Sequence, residues 1–268
     1  VLTCIVNISE GCRVEIVDDI ARCAGSSLLD VHSDQWHNRS VLSLGGQGVF
    51  DATVRVARRA YALIDLTKHS GVHPRLGAID VVPFVPVSSY ERHGSSDLRE
   101  ALSARGAFAD VLARECTIPC FFYGPERSLP QVRRMAFREL APDVGPPLPN
   151  SRAGACCVGA RPVLVAYNVW LKKVSLKDAR SIARALRSPM LRCLGVAVGD
   201  TTQIACNLTD PWVLGPAQAF DAIDELASID RGELVGLLPA DLLATIPAAR
   251  WSELGVSADK TLESRLAR

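Results

Sequence analysis

Residues 2–31 read LTCIVNI, SEGC, RVEIVDDIARCA, GS and SLLDV. The first run is apolar enough to predict a strand over 2–8. The third places apolar residues at 16, 17, 20 and 24, the spacing of one helical face, and predicts a helix over 13–24. The last predicts a strand over 27–31. Outward from this stretch follow a strand at 40–44, a long helix at 49–65 and a strand at 79–85, so the order is βαββαβ. After the Gly- and Pro-rich segment 142–154 the same order returns: strand 162–170, helix 176–187, strands 191–198 and 202–209, helix 216–228 and strand 233–238. The predicted class is α+β, with two ferredoxin-like βαββαβ subdomains, each an antiparallel or mixed sheet with two helices on one face, and a cleft between them. Between the repeats, 96–115 predicts a helix leading into the apolar strand Pro119–Tyr123, which extends the first sheet. The expected organisation is a first subdomain at 1–141, a linker lining the cleft at 142–160 and a second subdomain at 161–268.

Composition narrows the class. The 268 residues suffice for two domains of about 100 to 150 residues, each able to bury a core. Thirty basic residues balance 29 acidic ones, and only five are lysines. Dispersed arginines offset by acids disfavour nucleic acid as a partner. No run is apolar over the length of a membrane span, the start lacks a basic region followed by an apolar signal, and the ends are uninformative about targeting; the balanced, half-apolar composition leads us to expect a folded cytoplasmic protein without membrane partners. Nine cysteines, odd in number and scattered, read as reduced core thiols rather than a disulfide framework. Neither the Cys116/Cys120 spacing nor His32 with His37 supplies a zinc ligand set, and no metal is expected.

Chemistry concentrates at Lys68-His-Ser-Gly-Val-His73-Pro-Arg-Leu-Gly77-Ala-Ile-Asp80. A polar turn between helix and strand needs no function. However, an imidazole followed by Pro and Arg can exchange a proton near neutral pH beside an anion-binding group. His73 is the candidate acid or base, Lys68 and Arg75 are candidate carboxylate binders, and His69 is equally readable as structural. Asn7 and Glu10 precede a helix start, where Ser9 alone would satisfy a cap. The loop from His32 through Asp34, Trp36, Asn38 and Arg39 is denser in polar groups than a hairpin requires, and reads as a substrate contact. Asp34 or Asp80 is a candidate to orient the imidazole. The Pro- and Gly-rich stretch 141–154 is either a stiff connection or a strap whose backbone groups meet a flat heterocycle. Its glycines form no GxGxxG or Walker pattern.

In order along the chain, Cys4-Ile-Val-Asn-Ile-Ser-Glu-Gly11, Asn38-Arg-Ser-Val41, Lys68-His-x-Gly-x-His-Pro-Arg-x-Gly-Ala-x-Asp-Val81, Pro83-Phe84, Tyr123-Gly124, Leu129-Pro130, Pro142-Asp-x-Gly-Pro146, Gly159-Ala-Arg161, Asn168 and Asn207-Leu resemble the successive motifs of the formiminotransferase domain family. That family includes glutamate formimidoyltransferase and the front half of formiminotransferase-cyclodeaminase. The resemblance covers nearly the whole chain and lacks the cyclodeaminase half. It implies transfer of a formimino group from N-formimino-L-glutamate to tetrahydrofolate as co-substrate, in histidine degradation and one-carbon metabolism. It further implies His73 as the catalytic histidine, folate contacts at Gly145, Pro146, Pro147, Arg152, Gly154 and Asn168, and a homodimer. With it, Asn7, Glu10, Asn38, Arg39, Lys68 and Arg75 become the substrate-binding set.

The departures are specific. Val72 stands where the family usually has Glu before the histidine, and Asn-x-Asn becomes Asn168-Val-Trp170. Arg152 and Ala153 replace the Ser-Trp pair of the animal enzymes, and Arg133-Arg134-Met135-Ala-Phe137 occupies a Gly-Glu-Tyr-like stretch. They bear on the acceptor. A related transferase or amidine hydrolase using a different acceptor, and a non-catalytic paralogue binding folate or an acidic metabolite, are the two alternative readings.

Overall fold

The computed structural model describes residues 1–72, 74–91 and 97–267. His73 therefore lies outside the described residues. Two compact units divide the described residues, one holding Val1–Ser89 and residues 97–162, the other holding Tyr90 and Glu91 together with the chain from Val163 onward.

In the first unit, β1 (Leu2–Ile8) alternates cleanly. Cys4, Val6 and Ile8 join the core, and Thr3, Ile5 and Asn7 face the other way. The apolar stripe of α1 (Val14–Arg22) buries Val17, Ile20 and Ala21. β2 (Leu28–Asp34) and β3 (Arg39–Gly45) form an antiparallel pair joined by a tight turn. β2 runs through Asp34, so His32 and Asp34 belong to a strand rather than to the expected loop. α2 (Val49–Leu63) packs on the sheet through small residues, Ala52, Ala57 and Ala60, which let the helix approach closely. β4 (Ile79–Pro86) lies antiparallel to β1. α3 (Arg99–Cys116) stops at Thr117, where φ turns to +56°. Phe84 on β4 stacks on Phe50 of α2 at 6.3 Å and meets Phe108 of α3 edge-on at 5.8 Å. Truncating Phe84 to Ala would cost about 3–5 kcal/mol.

β5 (Cys120–Tyr123) joins this sheet, as expected, but not directly. Cys156–Ala160, counted with the linker in the sequence reading, forms β6, which lies parallel to both β4 and β5 and sits between them. The sheet is mixed, in the order β2-β3-β1-β4-β6-β5. The short helix α4 (Leu129–Met135), which periodicity does not announce, is started by a capping box between Ser128 and Gln131. It covers the opposite face, where Val132 and Ala136 pack with Val81, Phe121, Tyr123 and Cys157.

The second unit holds β7 (Val165–Leu171), α5 (Leu176–Leu186), β8 (Leu191–Val198), β9 (Thr201–Leu208), α6 (Pro216–Asp224) and β10 (Ile229–Val235). Its sheet is antiparallel throughout, in the order β10-β7-β9-β8. Three short helices follow that the sequence reading did not anticipate, α7 (Ala240–Ala244), α8 (Trp251–Leu254) and α9 (Leu262–Leu266); Leu242, Leu243 and Leu254 enter the core. The chain is α+β with a sheet in each unit, consistent with ferredoxin-like architecture. All nine cysteines are free thiols. Among the described residues no helix is long and apolar enough to cross a membrane.

Candidate functional site

In the first unit, the end of β1, the β2–β3 turn and the loop between α2 and β4 converge around residues 69–80. Ser9 fastens β1 to this loop: its amide donates to Ala78 O at 2.8 Å and its hydroxyl to Gly77 O at 2.8 Å. No side chain caps α1, and the turn leading into it is gathered by Glu10, which is 2% exposed. Glu10 Oε1 accepts the amides of Gly11 (3.1 Å), Cys12 (3.0 Å) and Arg13 (2.9 Å), and Oε2 accepts Arg13 Nε (2.8 Å). Burial by itself would raise this carboxyl. The Arg13 amide and guanidinium and the Cys12 amide overcome it and hold the group below its ordinary 4.5.

Asn38 adopts φ +45°, a conformation Asn tolerates better than most residues. Its side chain bridges two segments, Oδ1 accepting from Gly11 N at 2.9 Å and Nδ2 donating to Ser70 O at 2.8 Å. Its carbonyl accepts from His69 Nε2 at 3.0 Å and Arg75 Nη1 at 3.2 Å, while Arg75 Nη2 donates to His37 O at 2.9 Å. Burial and the Arg75 charge push His69 below its usual 6.5. Arg75 Nη1 lies against the same ring, 3.0 Å from Nδ1 and 2.5 Å from Nε2. Asp34 Oδ1 accepts the amides of Trp36 (2.7 Å) and His37 (2.8 Å), which shapes the turn.

Immediately around position 73, Val72 N donates to Trp36 O at 3.4 Å, and Arg133 Nη1 donates to Pro74 O at 2.9 Å. Asp80, 1% exposed, accepts Leu76 N on Oδ1 at 2.7 Å and Arg133 Nη2 on Oδ2. Three guanidiniums thus share the neighbourhood of one buried carboxylate. Arg39 is lowered to about 10, first by desolvation, with Arg133 and Arg75 repelling it and Asp80 and Asp34 opposing the drop. It remains charged at neutral pH. Arg75 is lowered by desolvation and by Arg133, against Asp80. A carboxylate or other anion entering here would meet a net positive field.

Part of the strap folds onto this loop. Ala78 N donates to Ala153 O and Ala155 N to Leu76 O, both at 2.9 Å, so that Gly77 and Gly154 face each other in an antiparallel bridge. Gly154 has φ +71°, and a Cβ on Gly77 would lie 1.9 Å from Ala155 O. Only glycine fits either position. Arg152 caps the end of α2, donating to Ala62 O at 3.0 Å. Gly145 lies elsewhere, against Ile118 and Pro119 where α3 leads into β5. Pro146 is half-buried and Pro147 exposed.

Of the other sequence candidates, Asn7 sits on β1 between Val41 and Val81 and donates to Ile5 O at 3.1 Å. Lys68 is exposed. Asn168 belongs to the second unit, where it donates to Glu233 at 3.1 Å beside Trp170, whose indole N–H donates to the same oxygen at 2.9 Å. Glu10, Asn38, Arg39, Arg75 and Asp80 are brought together. Arg133 is the member that sequence reasoning missed as a site residue, its only signal being the basic pair in a stretch that otherwise departs from the family pattern. Among the described residues no cluster of three or more His, Cys, Asp or Glu side chains is arranged to hold a metal ion.

Comparison with known proteins fits this geometry into a family. Residues 1–161 match the formiminotransferase domain, N-terminal subdomain. The chain belongs to the formiminotransferase family and is of the formimidoyltransferase type. It is similar to glutamate formimidoyltransferase of Streptococcus pyogenes, 32% identical over 92% of this chain and 91% of that protein. The protein of the same name in Thermoplasma acidophilum is 31% identical over 91% and 89%. The formimidoyltransferase-cyclodeaminase of Sus scrofa is 32% identical over 92% of this chain, which spans about half, 51%, of its length.

Proposed function

We propose that the chain transfers the formimino group of N-formimino-L-glutamate to tetrahydrofolate, with His73 as acid and base. The observation that carries this reading is the anchoring on both sides of position 73: Val72 to Trp36, Pro74 to Arg133, Arg75 to His37 and Asn38, and Leu76 to Asp80. Acid–base catalysis needs a proton carrier held in place, and the anchoring of the residues on either side supports this reading.

In the proposed reaction the secondary amine of the folate attacks the formimino carbon, forming a carbon–nitrogen bond and a tetrahedral intermediate. His73 takes the proton shed by the attacking nitrogen. It returns a proton to the glutamate nitrogen as the bond from carbon to that nitrogen breaks, releasing glutamate. Such proton management is worth about 10²–10⁴ in rate. Arg39 and Arg75 would receive the substrate carboxylates. Glu10 and Asn38 serve by holding the loops that carry them, and Arg152 and Gly154 of the strap are the folate-side candidates nearest this locus. No step requires a metal.

Incubation with N-formimino-L-glutamate, with and without tetrahydrofolate, tests the reading. Glutamate and 5-formiminotetrahydrofolate should appear together only when folate is present, and His73→Ala should lower kcat by about 10²-fold or more. Glutamate release without the folate product would favour hydrolysis or another acceptor. Saturable binding without turnover would favour the non-catalytic paralogue, a reading that draws on Trp170, which occupies an Asn position of the family motif and engages Glu233, with Arg231 stacked 4.3 Å from its ring.

A further inference from the structure

Arg133 projects from α4, which opens on the Leu129-Pro130 motif, and lies in the following stretch, Arg133–Phe137, that departs from the family pattern. Its Nη1 holds the carbonyl of Pro74, the residue directly after His73, and its Nη2 holds Asp80, whose other oxygen holds the Leu76 amide. One guanidinium therefore ties both ends of the segment 74–80. The arrangement is built rather than incidental. The Arg133 side chain is 19% exposed and that of Asp80 2%. Val132, next in the chain, is fully buried against the sheet, and the helix is fixed at its start by the Ser128–Gln131 capping box. Burial alone would weaken the charge on Arg133, but the facing Asp80 carboxylate more than offsets it.

We propose that Arg133 is a positioning residue for His73, acting through the Pro74 carbonyl and Asp80 and not on the substrate. This rests on the transferase reading, in which His73 carries the protons. With the Pro74 carbonyl held, the peptide group between Pro74 and Arg75 has few ways to move. Releasing it would loosen the segment next to the catalytic histidine, and a displacement of about 1 Å can cost about 10² in rate. Lysine cannot replace the fork: a single ammonium reaches Asp80 or the carbonyl but does not present two parallel donors.

The test compares the whole chain with Arg133→Ala and Arg133→Lys. Hydrogen exchange is read at the amides of residues 75–80, and kcat and KM are measured with N-formimino-L-glutamate and tetrahydrofolate. In Arg133→Ala, exchange should accelerate by about tenfold or more. Its kcat should fall about 10- to 100-fold with KM within about threefold, and added guanidinium ion should restore part of kcat in that variant alone. Arg133→Lys should fall between, and it carries the comparison should the Ala variant not fold. Unchanged exchange overturns the proposal whatever the activity. Accelerated exchange with unchanged kcat overturns the positioning role, and a rise in KM alone would make Arg133 a substrate ligand instead. If the wild-type chain turns over nothing, the transferase reading fails and takes the catalytic role with it, while the exchange measurement still decides whether the clamp exists.

Discussion

Replacing Glu10 with Gln separates two roles that the sequence leaves superimposed, substrate ligand and loop anchor. The structure commits one carboxylate oxygen to three backbone amides and the other to Arg13. Gln keeps a neutral acceptor of similar shape but loses the charge. Hydrogen bonds to a charged group are worth about 1.5–3 kcal/mol and roughly twice their neutral counterparts. Halving three of them costs about 2–4 kcal/mol, and the half-exposed Arg13 contact adds at most about 1 kcal/mol. With a slope of about 2–3 kcal/mol per molar urea, the unfolding midpoint should drop by about 1 M or more. The sign of the pH effect follows from the lowered pKa. Glu10 stabilises the fold above 4.5, and that contribution is lost as pH falls through its depressed folded value. The difference between the two proteins in urea titrations should therefore shrink as pH falls from neutral to below 4.5. A change below about 0.5 kcal/mol at neutral pH, together with a large rise in KM, would refute the anchoring argument and return Glu10 to the substrate.

Gly77→Ala should abolish activity and lower stability by at least about 2 kcal/mol, since the new Cβ would lie 1.9 Å from Ala155 O; circular dichroism melting and the transfer assay together check this. His69 should make stability fall as pH drops below 6.5, because the unfolded chain takes up its proton before the folded one, and His69→Gln should flatten that slope in urea midpoints compared at about pH 7.5 and about pH 5.5. Gln203 on β9 is fully buried, and neither polar atom of its side chain has a hydrogen-bond partner among the described residues. Gln203→Met should leave stability unchanged or raise it by about 1 kcal/mol, and a loss greater than about 1 kcal/mol in the same titration would contradict this.

The first four strands and two helices were legible because their signals are local: alternation along β1, a four-residue stripe on α1, small residues on α2. β6 was not. Its five residues, Cys-Cys-Val-Gly-Ala, follow a run of prolines and glycines, and they become a strand by lying parallel between β4 and β5, partners distant in sequence. α4 is too short for periodicity to speak, although Ser128 and Gln131 wrote its start in plain view. At the candidate site, residue types identified the neighbourhood while bonding partners were hidden. Glu10 looked surplus to a cap that Ser9 would provide, whereas the carboxylate gathers the amides and Ser9 holds Gly77. Arg133 has nothing in its local sequence to announce that it reaches Asp80. That contact exists only because α4 lies on the sheet face opposite the other helices.

The interior position of β6 governs how the first sheet is completed during synthesis. β4 and β5 leave the ribosome well before the strand that joins them, and at about 5–20 residues per second the wait lasts seconds. Until Cys156–Ala160 arrives, β4 offers an open edge and Cys-Phe-Phe-Tyr of β5 has no partner, a template for association with other chains. Cutting the chain anywhere between β5 and β6 would produce two fragments that each lack part of one sheet, so they should recover a native fold only by meeting each other. A break after Pro162 would leave that sheet whole.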